Sequence, residues 1–127
     1  MANHLPSLFV APSDRGGRGV FSSRAIVADT TIELAPVIVL DPDDMEIIHD
    51  THLHDYYFLW GEEGCAIALG YGSLYNHAKN PNADFYMDFE MRHICFFARR
   101  DIRAGEEITI SYNDEADERT RLWFEEK

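Results

Sequence analysis

Apolar residues in this chain come in short runs separated by Gly, Pro, Asp and Asn, and few runs continue with helical spacing. Ser7–Pro12 predicts a strand that stops at its proline, and Gly19–Ser22 predicts a second after a glycine-rich turn. Thr31–Leu34 and Val37–Leu40 predict two β-branched strands, split by Pro36 and closed by Asp41-Pro42. Ala66–Leu69, Ala83–Met87, His93–Ala98 and Glu107–Tyr112 have the same character. The pattern is that of a mostly β protein with many short strands. Helical signals are local: a turn or two over Asp43–Ile48 after Pro42, and another over Ser73–His77 between Gly72 and the Pro81 loop. The polar tail Glu115–Lys127 carries Leu122, Trp123 and Phe124, expected to dock on the body or on a second subunit. No repeat, low-complexity tract or linker divides the chain, so one domain is expected.

Composition sharpens this picture. The chain has 127 residues, 46% apolar and 13% aromatic, enough for one core and too apolar for a disordered tail. Its 23 acidic residues against 11 Lys and Arg give a formal charge of −12, which disfavours nucleic acid and anionic membranes and suits a cationic partner. From Ala25 to Ala78 there is no Lys or Arg, while Asp29, Glu33, Asp41, Asp43, Asp44, Glu46, Asp50, Asp55, Glu62 and Glu63 fall there. A solvated acidic face and a docking face for a basic partner both fit that stretch. Cys65 and Cys95 lie among apolar neighbours and read as buried free thiols. No run approaches 18 apolar residues and the start shows no leader pattern, so an intracellular setting is expected.

Four segments carry candidate chemistry. Arg15-Gly16-Gly17-Arg18-Gly19-Val20-Phe21 offers backbone that a ligand can approach closely, although a plain hairpin turn reads equally well. Gly70–Asn82 packs two tyrosines, an Asn-His pair and an Asn-Pro-Asn turn together, suited to an adenine or amide edge or to an Asn-rich turn with a core histidine. Arg103–Asp114 is a turn feeding a strand that ends in Tyr112. His49, His52 and His54 lie close in sequence, yet neither a helix nor a strand presents all three on one face, so no metal site is expected and a solvated His-Asp loop is the simpler reading.

Taken in order, these segments resemble the SET domain, the family of S-adenosylmethionine-dependent protein-lysine methyltransferases. Gly17-Arg18-Gly19-Val20-Phe21 is similar to its Gly-x-Gly motif, Asn76-His77 with Pro81-Asn82 to its Asn-His-Ser-x-x-Pro-Asn motif, and Gly105–Tyr112 to its Gly-Glu-Glu-Leu-Thr…Tyr motif. The likeness runs from about Leu8 to Asp114 and is nearest to the short stand-alone SET proteins of large DNA viruses and bacteria. It implies a β-clip-like SET fold: several small sheets around a C-terminal pseudo-knot, with few short helices. It implies one SET domain over 1–127, its core about 8–114, with 115–127 closing the channel or contacting a dimer partner. Gly17, Arg18, Gly19, Asn76 and His77 would hold S-adenosylmethionine, and Tyr112, Tyr56 and Phe85 would line the channel to the substrate. Two departures stand out: Ala78 replaces the motif's serine, and Phe85 occupies a position where tyrosine is common.

A lysine amine, with a pKa near ~10.4, is almost wholly protonated at pH 7 and must lose its proton to attack a methyl group. A dry, aromatic-walled channel disfavours the ammonium, and alignment of the amine supplies most of the rate. The function that the resemblance implies is lysine N-methylation of a basic, histone-like protein tail, with no nucleic acid or membrane partner and a homodimer as a possible assembly. The alternatives are a non-catalytic SET-fold module that binds basic peptides, suggested by Ala78 and the short tail, and more remotely a metal hydrolase built on the three histidines.

Overall fold

The computed structural model describes residues 3–62 and 64–112. The tail residues Leu122, Trp123 and Phe124, and with them channel closure and dimer contact by the tail, lie outside the described residues. Strands β1 (Leu8–Pro12), β2 (Arg18–Ser22), β6 (Asn76–His77) and β9 (Glu107–Ile110) form one sheet in the order β1-β2-β9-β6. Strands β3 (Thr31–Leu40), β4 (Tyr57–Leu59), β5 (Cys65–Ala68), β7 (Ala83–Asp88) and β8 (His93–Ala98) form the other, in the order β4-β5-β3-β8-β7. The expected mostly β architecture is the one observed.

Two expectations of local structure are corrected. Pro36 does not split the third β segment, which runs unbroken for ten residues. Instead the strand changes partner there: Thr31–Pro36 pairs with β8 and Val37–Leu40 with β5. The Pro36 carbonyl accepts from Leu69 N–H (2.9 Å), one residue past the end of β5, so the missing proline N–H falls where the β5 ladder has already ended. Ser73–His77 is likewise not one helical turn. A 3₁₀ turn covers Gly72–Leu74, Tyr75 is extended (φ −66°, ψ 131°), and Asn76-His77 joins β9 in a parallel ladder. Tyr57–Leu59 is a strand that no sequence pattern announced.

The single α-helix among the described residues, α1 (Pro42–His49), follows its signals. Asp41 caps it by accepting from Asp44 N–H (2.9 Å), Pro42 opens it, and Asp43 and Asp44 complement the dipole in its first turn. None of its residues is fully buried; Met45 and Ile48 pack beside the small cluster of Tyr57, Leu59 and Cys65. The main core lies between the sheets, with Trp60, Tyr75, Phe96, Ile32, Ile94, Ile102, Ile108 and Ile110 buried. Each such side chain contributes roughly 1.5–3 kcal/mol of transfer free energy.

The C-terminal strand fixes the site. β9 lies between β2, to which it is antiparallel (Val20 opposite Ile108), and β6, to which it is parallel (Asn76 opposite Thr109). The loop that follows β6 then ties itself to β9 through Asn82, which is 2% exposed. Its Nδ2 donates to the Glu107 carbonyl (2.7 Å) and its Oδ1 accepts from Thr109 N–H (2.9 Å). One amide thus occupies the position of a missing strand neighbour, and the chain beyond β9 emerges beside Asn76-His77.

Candidate active site

Tyr112 lies two residues past β9 and is held at both ends. Its N–H donates to His77 Nδ1 (3.0 Å) and its hydroxyl donates to the Tyr75 carbonyl (2.6 Å). The first bond requires an unprotonated Nδ1, which places the proton of neutral His77 on Nε2. Partial burial, then the positive charge of Arg15, lowers the His77 pKa and keeps that form dominant. Burial, reinforced by Tyr56, Asp55 and Glu107, pushes the Tyr112 phenol up to about 12. Tyr112 is therefore a neutral phenol near pH 7, its proton committed to Tyr75, so that its oxygen can only accept in the remaining directions.

The three residues expected to wall a channel line one narrow cavity. Tyr56, Phe85 and Tyr112 surround it together with Asp55, Phe58, Ser73 and Tyr75, and its volume of about 20 Å³ is close to that of a single water molecule. Phe85 meets Phe58 edge-on (5.5 Å between ring centres) and lies against Phe96 (5.8 Å), so this wall is rigid and apolar. Asp55, nearly half exposed, places a carboxylate beside the aromatic rings.

The residues expected to hold a cofactor form two neighbouring groups. Gly16 and Gly17 adopt positive φ (104° and 60°), and an added Cβ at either would meet nothing within 4 Å. That stretch of backbone is approachable from outside. Gly19 is glycine for the opposite reason: a Cβ there would overlap the Glu107 carboxylate. Asn76 Nδ2 bridges the Arg18 carbonyl (2.9 Å) and Glu107 Oε2 (2.8 Å), while Ser13 donates to Glu107 Oε1 (2.7 Å). Arg18, Gly19 and Asn76 are thus brought together around Glu107, and His77 is joined to Tyr112; Gly17 stands apart in the turn. An open polar cleft of about 420 Å³ adjoins Glu107, lined by Asp14, Arg15, Asn80, Asn82 and Arg100 among others.

Sequence reasoning missed Glu107, Tyr75, Asn82 and Glu33 as site-building residues. Asn82 and Glu107 lay in quoted motifs, but their partners are distant in sequence. Glu33 does not belong to the solvated acidic stretch that its sequence position suggests: it is 1% exposed and accepts from Tyr71 N–H (2.9 Å) and Tyr75 O–H (2.7 Å). Ala78, in place of the motif's serine, is buried, and its N–H continues the β6–β9 ladder to the Ile110 carbonyl (3.0 Å). The three histidines have other engagements. His49 Nδ1 is 2.8 Å from the Tyr57 hydroxyl, His54 Nδ1 2.9 Å from the Thr51 carbonyl, and His52 lies beside the Tyr56 ring. No group of His, Cys, Asp or Glu among the described residues is arranged to hold a metal ion. No helix among them is long and apolar enough to cross a membrane.

The last strand among the described residues is thus strapped between two earlier ones beside a tyrosine-lined cavity, an arrangement in keeping with the SET type of domain. The SET domain family profile matches residues 17–113. The histone-lysine N-methyltransferase, H3 lysine-37 specific, of Schizosaccharomyces pombe is 36% identical over 121 residues, spanning 94% of this chain and 78% of that protein. A crystal structure of a Plasmodium falciparum chain superposes with a TM-score of 0.69 at 28% identity, covering 89% of this chain and 99% of that one. The chain belongs to the SET domain family of lysine methyltransferases.

Proposed function

We propose that this protein is an S-adenosylmethionine-dependent N-methyltransferase that acts on a lysine side chain in a basic, histone-like tail. The observation that carries this reading is the convergence of Tyr56, Phe85 and Tyr112 on one narrow cavity, with the Tyr112 hydroxyl anchored to the Tyr75 carbonyl. The approachable backbone at Gly16 and Gly17, with Arg18, Gly19 and the Asn76-His77 strand beside it, fits a nucleoside-bearing ligand and would hold S-adenosylmethionine. That cofactor, when bound, supplies an electrophilic methyl group on a cationic sulfur.

The chain's own residues account for the rest. The apolar walls at Phe58 and Phe85 exclude water and disfavour an ammonium, so the lysine enters or becomes neutral. The Tyr112 oxygen, unable to donate into the cavity, accepts from the amine N–H and turns its lone pair toward the methyl donor. Neutral His77 holds the Tyr112 backbone in place. The exposed carboxylates of Asp41, Asp43, Asp44, Glu46, Asp50, Asp55 and Glu62 lie on the segment leading to the cavity and suit a basic tail. A non-catalytic peptide-binding reading drew on Ala78, but the ladder there is complete without a hydroxyl.

The test is methyl transfer from labelled S-adenosylmethionine to Lys-rich peptides. Wild type should label lysine, and Tyr112→Phe should lower kcat by on the order of a hundredfold with little change in peptide KM. Unchanged labelling in that variant would remove Tyr112 from the reaction. Peptide binding with no cofactor binding in calorimetry would favour the non-catalytic reading.

A further inference from the structure

We propose that Glu33 is a positioning residue for methyl transfer: from inside the core it clamps both ends of the Tyr71–Tyr75 turn and so fixes the carbonyl that aims the Tyr112 hydroxyl. This rests on the role given to Tyr112 above.

Glu33 and its neighbour Ile32 are both buried, at 1% and 0% exposure, although they are consecutive on a strand. A register shift between Thr31 and Glu33 in the β3–β8 ladder turns both side chains inward. Burial of this carboxylate raises its pKa, while the Tyr75 and Tyr71 hydrogen bonds and the charge of His4 pull it back. A core packed with apolar side chains in place of both the Glu33 carboxylate and the Tyr75 hydroxyl could be equally stable, since replacing both partners of a buried polar pair is often neutral or stabilising. What an apolar residue could not do is accept two hydrogen bonds in fixed directions.

Those two bonds span the turn. Oε2 takes the Tyr71 N–H at its start and Oε1 takes the Tyr75 hydroxyl at its end. The turn closes tightly over the carboxylate: Gly70 has φ +65°, and a Cβ there would overlap Glu33 Oε2. Gly72 is pressed onto the sheet, where a Cβ would meet those of Ala68 and Ala35. The Tyr75 ring packs on Phe96 (4.6 Å). The same turn supplies Gly72, Ser73 and Tyr75 to the cavity wall, and the Tyr75 carbonyl takes the Tyr112 hydroxyl at 2.6 Å. Glu33 is not among the residues that line the cavity, so its influence there passes through the position of this turn.

The experiment is a double-mutant cycle. Glu33→Met removes both struts and Tyr75→Phe removes one, each alone and combined with Tyr112→Phe, measuring kcat, peptide KM, cofactor affinity and Tm. The expected result is a kcat lowered by about tenfold or more in each single variant, with KM and cofactor affinity within about twofold. In the Tyr112→Phe background the same changes should cost little further, because the hydroxyl they aim is gone. A folded variant with unchanged kcat, or a loss that multiplies in full with that of Tyr112→Phe, would overturn the proposal. If Glu33→Met does not fold, the Tyr75→Phe cycle decides alone. An independent readout is the ¹³Cζ resonance of Tyr112, which should move in Tyr75→Phe as its hydrogen bond to Tyr75 shifts; an unmoved resonance counts against the clamp. Absence of methyl transfer by wild type would defeat the proposed function instead, and the resonance would still judge the clamp.

Discussion

Asn82 is the residue whose replacement most directly tests how the last strand is held. Its side chain makes a 2.7 Å bond to the Glu107 carbonyl and a 2.9 Å bond from Thr109 N–H, in a setting 2% exposed. Asn82→Ala strands both backbone groups away from water, at roughly 1–3 kcal/mol each, so a loss of about 2–6 kcal/mol is expected. That is a large share of the ~5–15 kcal/mol that stabilises a typical domain, and corresponds to a Tm lowered by on the order of 10 °C. Asn82→Asp is the sharper variant. One oxygen still serves Thr109 N–H, but the other now faces the Glu107 carbonyl, acceptor against acceptor. Burial and that contact raise the pKa of the introduced carboxyl, so its ionisation opposes folding. The sign follows: the variant should be at least as unstable as Asn82→Ala above pH 7, and should recover as pH falls and the acid gains a proton to donate to Glu107. Urea unfolding followed by tryptophan fluorescence, at several pH values, gives both free energies. A neutral-pH stability for Asn82→Asp within about 1 kcal/mol of wild type would refute the idea that this amide straps β9.

Two further outcomes are expected. The His77 pKa is lowered in the folded state, so the neutral ring contributes stability that is present above the unfolded value near ~6.5 and is lost as pH falls through the folded value. The stability difference between wild type and His77→Gln should therefore shrink on acidification; a difference independent of pH would mean that Tyr112 N–H does not rely on this imidazole. The acidic face should make peptide capture salt-sensitive, with KM for a basic peptide rising from about 0.05 M to about 0.5 M salt as the Debye length contracts. An unchanged KM would return those carboxylates to a role in solubility alone.

What could be read from the chain and what could not divides along sequence distance. Tyr112, Asn76, His77, Gly17, Arg18 and Gly19 stand out in the sequence because each sits in a short motif, and Tyr56 and Phe85 through the resemblance those motifs carry; the structure brings Tyr56, Phe85 and Tyr112 to one cavity and Arg18, Gly19 and Asn76 to the Glu107 carboxylate, with His77 bonded to Tyr112 and Gly17 apart in the turn. The strands that alternate in the usual way were legible too, β8 to the residue. Asn76-His77 was misread as helical because its partner, Thr109-Ile110, lies some thirty residues on, and a two-residue parallel ladder leaves no local periodicity. Glu33 was misread for a different reason. Period-two alternation places a charged residue beside a buried isoleucine on the solvent side, and only the register shift at Thr31 reverses that. A carboxylate turned into a core by an irregular strand, and then answered there by two directed donors, is a costly arrangement that packing alone does not call for. Glu33's partners are the two ends of the turn whose Tyr75 carbonyl takes the Tyr112 hydroxyl, so this local departure from the pattern falls beside the proposed site.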